Sequence, residues 1–421
     1  MNKHAKLEQE LICSALISNK EFKLLLVCSR TKLCDQDERL LQQLLASDID
    51  WQQFIELTLR HRTLPLAYFT LKRYGWEYVP GQFQSQLQNA YRRNHFKALM
   101  LTAVLVQIKS CFESAGITMV AFKGPTLAML LYDKVGMRHA GDLDILIAQD
   151  DVPKARQLLQ SLGYALTKIA TDDRVEKMEP TRLYLNQDYE FKHQTKPVRV
   201  ELHWRFGKSR LHTPLPVDLA LQNYQMVTIS DKPLPSLASI EDLLAYLCFH
   251  GTNHQWFRLF WLCDIAELVR RYGEQIDWVS LFACAHRQGN HRALSLGLLL
   301  AEKLLDAPLP ESALRGMQRD FPAFVMRYIE WSIACTVSVD ETEILYREMV
   351  KPRYALYFAT TVRYRVSYLM QYLFYPPNSL VNSISLRWTP WLFPLYLPIK
   401  IGYVIYHGAL RPLFRTMRNI T

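Results

Sequence analysis

The sequence has no CxxC pair, no low-complexity tract, no repeat at a fixed period and no continuous apolar stretch near its first residues. Each absence narrows the reading. The eight cysteines (Cys13, Cys28, Cys34, Cys111, Cys248, Cys263, Cys284, Cys335) lie mostly inside apolar, helical-looking stretches, where free thiols are commonly buried, so a reducing compartment is expected. Glu8 and Glu10 interrupt any apolar run after Lys3 and Lys6, unlike a signal peptide, so the expected location is the cytosol or the inner face of the cell membrane. Acid is missing from one region: from Lys351 to Thr421 there is no Asp or Glu, which places much of the formal net charge of +10 in a tail. A basic surface attracts nucleic acid, anionic lipid and phosphorylated ligands alike, so charge by itself names no partner.

What is present is a chain of 421 residues, 49% hydrophobic and 21% charged, which excludes global disorder and suggests two or three cooperating units. Apolar residues recur at helical spacing from about Lys6 to Ala46, from Trp51 through Leu71, and from Gln82 to Phe112. The pattern then changes. Ile117 to Phe122 reads as a strand, Lys123-Gly124-Pro125-Thr126 as a tight turn opening a helix, and Asp142 to Ile147 as a second strand after Gly141. A helix capped by Asp150 or Asp151 ends near Gly163, and Asp188 to Lys192 and Val198 to Trp204 are further strands. Ser239-Ile240-Glu241-Asp242 resembles a capping box, after which helical periodicity dominates through about Cys335. The expected fold class is α+β, a small mixed-sheet core flanked by helical regions. The expected divisions are 1–95 helical, 96–235 α/β core, 236–345 helical and 346–421 a basic aromatic tail.

Asp142 and Asp144 are two apart on the second strand, so alternation puts both carboxylates on one face, close enough to share a hard divalent cation. Glu201 supplies a third carboxylate on another strand, with His203 on the same face. Three convergent carboxylates suit phosphoryl chemistry, in which Mg²⁺ or Mn²⁺ neutralises a triphosphate and orients the attacking hydroxyl. Lys123 and Gly124 offer a phosphate cradle: glycine permits close backbone approach, the helix N-terminus presents free NH groups, and the lysine adds charge.

The runs Phe122-Lys123-Gly124-Pro125-Thr126-Leu127, Tyr132, Arg138 with Gly141-Asp142-Leu143-Asp144-Ile145-Leu146, and Val200-Glu201-Leu202-His203-Trp204 resemble an uncharacterised bacterial nucleotidyltransferase family of the polymerase-β-like superfold. The resemblance continues through His250 to Trp256 and Trp261 to Ala266, and covers roughly residues 96 to 300. It implies a nucleotidyltransferase in which Asp142, Asp144 and Glu201 are the catalytic, metal-binding carboxylates. Lys123, Gly124, Thr126, Arg138 and His203 would bind the nucleotide. The substrates implied are an NTP and an acceptor hydroxyl or phosphate, in surface-polysaccharide or natural-product biosynthesis. The usual phosphate loop of the superfold reads Gly-Ser or Gly-Gly, whereas Pro125 follows Gly124 here and removes one NH donor.

Other features carry competing expectations. Arg138 is a phosphate clamp or a solvated loop arginine. His250 and His254, four apart on one helix face, line the cleft or begin a zinc site, and Asp264 orients one of these polar groups or pairs with Arg258. In the tail, Trp388, Trp391, Phe393, Tyr396, Tyr403 and Tyr406 surround an apolar run broken by Pro390, Pro394, Pro398 and Lys400. That pattern suits an interfacial anchor better than a spanning helix, with Arg411, Arg415 and Arg418 meeting anionic lipid. Its basic residues are interleaved with aromatics and not clustered by the site, which argues against nucleic acid. A non-catalytic, membrane-associated binding module with the same fold is the alternative function.

Overall fold

The structure, a computed structural model, describes residues 19–167, 183, 186–207, 215–334, 341–374 and 398. The aromatic run around Trp388 to Tyr406 and the arginines after it therefore lie outside the described residues, apart from Pro398.

Four helices come first: α1 (Lys20–Cys28), α2 (Asp35–Leu45), α3 (Trp51–Arg60) and α4 (Leu64–Tyr74). Local chemistry sets their starts, since Asn19 and Asp50 accept hydrogen bonds from Phe22 N and Gln53 N, satisfying donors that a helix N-terminus leaves unpaired. The long α5 (Gly81–Ser114) follows. Its buried Leu101, Leu105, Ile108 and Phe112 recur at four, three and four residues, a stripe that packs on the sheet. The expected division at 95/96 falls inside this unbroken helix.

The α/β core contains β1 (Met119–Ala121), α6 (Pro125–Tyr132), β2 (Leu143–Ile147), α7 (Val152–Ser161), β3 (Tyr164–Leu166), β4 (Asp188–His193) and β5 (Arg199–His203). These strands form a mixed sheet in the order β1-β2-β5-β4-β3. Among the described residues only β2 and β5 run parallel; the other neighbours are antiparallel. The fold is thus α+β with a small mixed sheet and helices at both ends, as the sequence predicts.

After α8 (Val217–Gln222), β6 (Tyr224–Ile229) and β7 (Lys232–Leu237) make a separate hairpin. Its turn residues Ser230 and Asp231 have φ of 48° and 62°, the left-handed pair that matches strand twist in a two-residue hairpin. This hairpin is not evident in the sequence. Pro233 and Pro235 discourage a strand reading, yet an isolated two-stranded ribbon leaves edges on which proline is tolerated.

Eight helices complete the described chain, beginning with α9 (Ile240–Asn253), α10 (Phe260–Tyr272), α11 (Trp278–Gln288) and α12 (His291–Leu305). Then come α13 (Glu311–Gly316), α14 (Ala323–Ala334) and α15 (Glu341–Phe358), with α16 (Val362–Phe374) last. Ser239 caps α9 as expected, its Oγ accepting from Asp242 N at 3.0 Å. One continuous core joins α1–α4 to α9–α14, and a second fills the space between α5 and the sheet. Val120 and Leu146 belong to the first core while Ala121, Ile145 and Ile147 belong to the second, so β1 and β2 are covered on both faces.

Candidate active site

Strand register builds the site. Asp144 pairs with Glu201 across the parallel β2–β5 ladder, so their side chains emerge on the same face, and alternation along β5 adds His203. Leu143, Ile145, Val200 and Leu202 take the other face and anchor both strands in the core. Asp144, Glu201 and His203 each bring one ligand atom into a group whose atoms lie within 4.8 Å of one another, so together they could hold a metal ion.

Asp142 stands one residue before β2, half-buried, and is not in that group. Burial and the charge of Asp144 raise its pKa, opposed by Lys123 and Arg199, so it remains electrostatically part of the site.

Two cations make the burial of these carboxylates tolerable. Lys123 Nζ lies 2.5 Å from Asp144 Oδ1, and His203 Nε2 lies 3.4 Å from both Asp144 Oδ1 and Glu201 Oε2. Burial would raise the Asp144 pKa, but the Lys123 ammonium and His203 reverse that and hold the carboxyl well below the ordinary range. Burial would lower Lys123, yet Asp144, Tyr246 and Glu201 raise it, so the ammonium is kept. His203 is likewise pulled down by burial and lifted further by hydrogen bonding to Asp144 and Glu201, to about 9. Glu201, with a side chain 32% exposed, is the carboxylate open to solvent, and burial raises its pKa.

Asp144 Oδ1 thus has both the Lys123 ammonium and His203 as charged neighbours. Two carboxylates beside an imidazole nitrogen are a donor set that divalent cations accept, and His203 would join it by giving up its proton, as a histidine ligand must. The residues present fit a metal.

Gly124 caps α6 with φ 67° and ψ −137°, a conformation essentially restricted to glycine, and a Cβ there would stand 3.4 Å from Asp142 O. The turn thus lies against the entry of β2, with the first NH groups of α6 beside it. Thr126 is engaged elsewhere: its buried hydroxyl donates to Ala121 O at 2.9 Å and Lys123 O at 3.1 Å, locking the turn. Its side chain holds the turn in shape.

Arg138 departs from both expectations. It is neither a solvated loop arginine nor a free phosphate clamp: Nε donates to both Asp264 oxygens at 3.0 Å, and Nη2 lies 2.9 Å from Oδ2. Both side chains are buried, and Tyr132 donates to the same carboxylate at 3.0 Å. Asp264 therefore pairs with Arg138 and not with Arg258. His250 and His254 are neighbours, ring centroids 4.5 Å apart, with His254 stacked on Trp261 at 5.0 Å. Among the described residues no third ligand joins them.

One site residue escaped the sequence reading. Tyr246 of α9 packs on Phe122 at 5.3 Å and has the Lys123 ammonium 5.9 Å from its ring, which brings the C-terminal helices to the site. Its spacing of four from His250 on one helix face was the available signal.

The family model described as an uncharacterised nucleotidyltransferase matches residues 47–306, more than half of the chain. No curated protein matches the sequence. The matched segment runs from just before α3 to just after α12, and so includes the sheet, the Lys123-Gly124 turn, Asp144, Glu201, His203 and the Arg138–Asp264 pair. On that match the chain belongs to the uncharacterised nucleotidyltransferase family and is a nucleotidyltransferase enzyme.

Proposed function

We propose that the protein transfers a nucleoside monophosphate from an NTP to a hydroxyl or phosphate acceptor, using Mg²⁺ or Mn²⁺ held by Asp144, Glu201 and His203 with Asp142 alongside. The observation that carries this is the in-register pair Asp144–Glu201, with His203 Nε2 3.4 Å from an oxygen of each. A divalent cation bound there would neutralise phosphate oxygens and acidify the acceptor. Lys123 keeps Asp144 ionised, and the Gly124 turn brings backbone close to the phosphates. Glu201, more exposed than Asp144, accepts the acceptor proton. A sugar phosphate of surface-polysaccharide or natural-product synthesis is the acceptor class to test first.

The test must respect the buried Lys123. Asp144→Ala would strand its ammonium, at a cost of about 3–5 kcal/mol, so lost activity would be ambiguous. Glu201→Gln and Asp142→Asn avoid this. Pyrophosphate release from each NTP, with Mg²⁺ and a panel of sugar phosphates, should fall at least about a hundredfold in Glu201→Gln with the thermal midpoint retained. If the wild-type protein binds no NTP in the presence of Mn²⁺, the proposal fails.

A second reading, a membrane-associated module at the inner face of the cell membrane, draws on α16. Val362, Val366, Leu369 and Met370 lie on one face of it and are exposed, in the acid-free part of the chain. It is compatible with catalysis, and the Glu201→Gln result decides whether the module is also an enzyme.

A further inference from the structure

With Arg138 bound to Asp264 and Lys123 bound to Asp144, neither cation expected at the phosphates is available to them. Pro125 also removes one NH from the cradle. A bound triphosphate carries several negative charges, so other cations must meet it.

Arg62 is placed to do so. It occupies the corner between α3 and α4 with φ 59°, a left-handed backbone that an arginine adopts only when its surroundings enforce it. Here they do: Phe260 N donates to His61 O at 3.2 Å and Leu259 N donates to His61 Nδ1 at 3.3 Å, fastening the corner to the start of α10. The half-buried guanidinium lies over the Phe260 ring, 5.5 Å from its centroid. Its Nη1 is 3.9 Å from where a Cβ on Gly141 would stand. Among the described residues no carboxylate pairs with it.

Gly141 is the residue before Asp142, and the Asp142 carbonyl is what Gly124 approaches. The phosphate turn, the entry of β2 and Arg62 are therefore contiguous. Lys97 of α5 comes from the same N-terminal layer. It stands one helical turn beyond Asn94, whose side-chain oxygen accepts from Ala140 N at 2.9 Å, so it lies on the helix face that meets the entry of β2; it is half-buried and has no ion pair among the described residues.

We infer that Arg62 and Lys97 form a clamp for the β- and γ-phosphates of the nucleotide, delivered by the N-terminal helices across the entry of β2. The inference rests on the nucleotidyl-transfer reading. It gives α3, α4 and α5 a role in substrate binding, in keeping with a family match that begins at residue 47. Arginine suits the position because its planar fork meets phosphate oxygens two at a time, and stacking on Phe260 holds the fork in one plane.

The test uses the full chain with Mn²⁺, titrated calorimetrically with inorganic triphosphate, with each NTP and with each NMP. Arg62→Gly is the informative variant, since glycine is at home at φ 59° and the corner keeps its backbone hydrogen bonds. Expected are a thermal midpoint at or above wild type, triphosphate and NTP affinity lower by about tenfold to a hundredfold, and NMP affinity unchanged. Lys97→Met should act in the same direction and more weakly, and Arg62→Lys should restore part of the loss.

Triphosphate affinity in Arg62→Gly equal to wild type would overturn the clamp, as would equal weakening of NMP and triphosphate. Either result leaves nucleotidyl transfer standing. Wild-type protein that binds neither NTP nor triphosphate would sink both.

Discussion

Removing Asp264 is the sharpest test of what Arg138 does. In Asp264→Ala the guanidinium stays buried with Phe260 5.3 Å from it and no counter-charge, and the Tyr132 hydroxyl loses its acceptor. An uncompensated buried charge costs about 3–5 kcal/mol, and the orphaned hydroxyl adds about 1 kcal/mol. For a cooperative unit of this size that corresponds to a fall in thermal midpoint of roughly 5 °C or more. Arg138→Met should cost a comparable amount for the mirror-image reason. The double variant Arg138→Met with Asp264→Leu removes both charges and fills the space, so it should be more stable than the sum of the singles predicts by at least about 2 kcal/mol. Urea denaturation of the four proteins measures this coupling, and triphosphate titration of the double variant measures the function. Additive single effects would refute the buried-pair argument. Loss of triphosphate binding in a folded double variant would show instead that Arg138 grips the nucleotide.

Gly124→Ala should lose about 1–3 kcal/mol, because alanine at φ 67° and ψ −137° is strained, and should weaken NTP binding by shifting Asp142; an unchanged melting curve with unchanged binding would contradict this. His61 is buried and held neutral, its pKa lowered to about 3 by burial and by Arg60 and Arg258. Its folded pKa lies below the unfolded value of about 6.5, so its contribution is complete above that pH and falls by about 1.4 kcal/mol per pH unit toward 3. Denaturation at pH 7 and pH 5 should therefore show wild type losing about 2 kcal/mol more than His61→Asn, and parallel losses would exclude the argument. Exposed Val366 and Leu369 predict weaker flotation with anionic vesicles when both become Glu, with no change on neutral vesicles; equal flotation on both compositions would remove α16 from any membrane contact.

Local chemistry was legible in the sequence wherever one segment decides its own conformation. The stripe in α5, the Lys123-Gly124 turn, the Asp-x-Asp strand and the Ser239 cap are each fixed by neighbours within a few residues, and each was found within a few residues of its predicted place. Register extended this to Glu201 and His203, because two-residue alternation on a strand is enough to put both on the Asp144 face once β2 and β5 pair. The choice of partner among buried charges was not legible. Arg138 meets Asp264 from 126 residues away, and Tyr246 reaches Lys123 from beyond the whole α/β core. No periodicity encodes such a meeting: an arginine destined for a buried carboxylate and one destined for a phosphate have the same local sequence. The distinction appears only when burial is known, since a buried guanidinium must already have its counter-ion, whereas one at the edge of a cleft can wait for a ligand. By that criterion Arg138 is committed to the fold and Arg62 is left for the substrate.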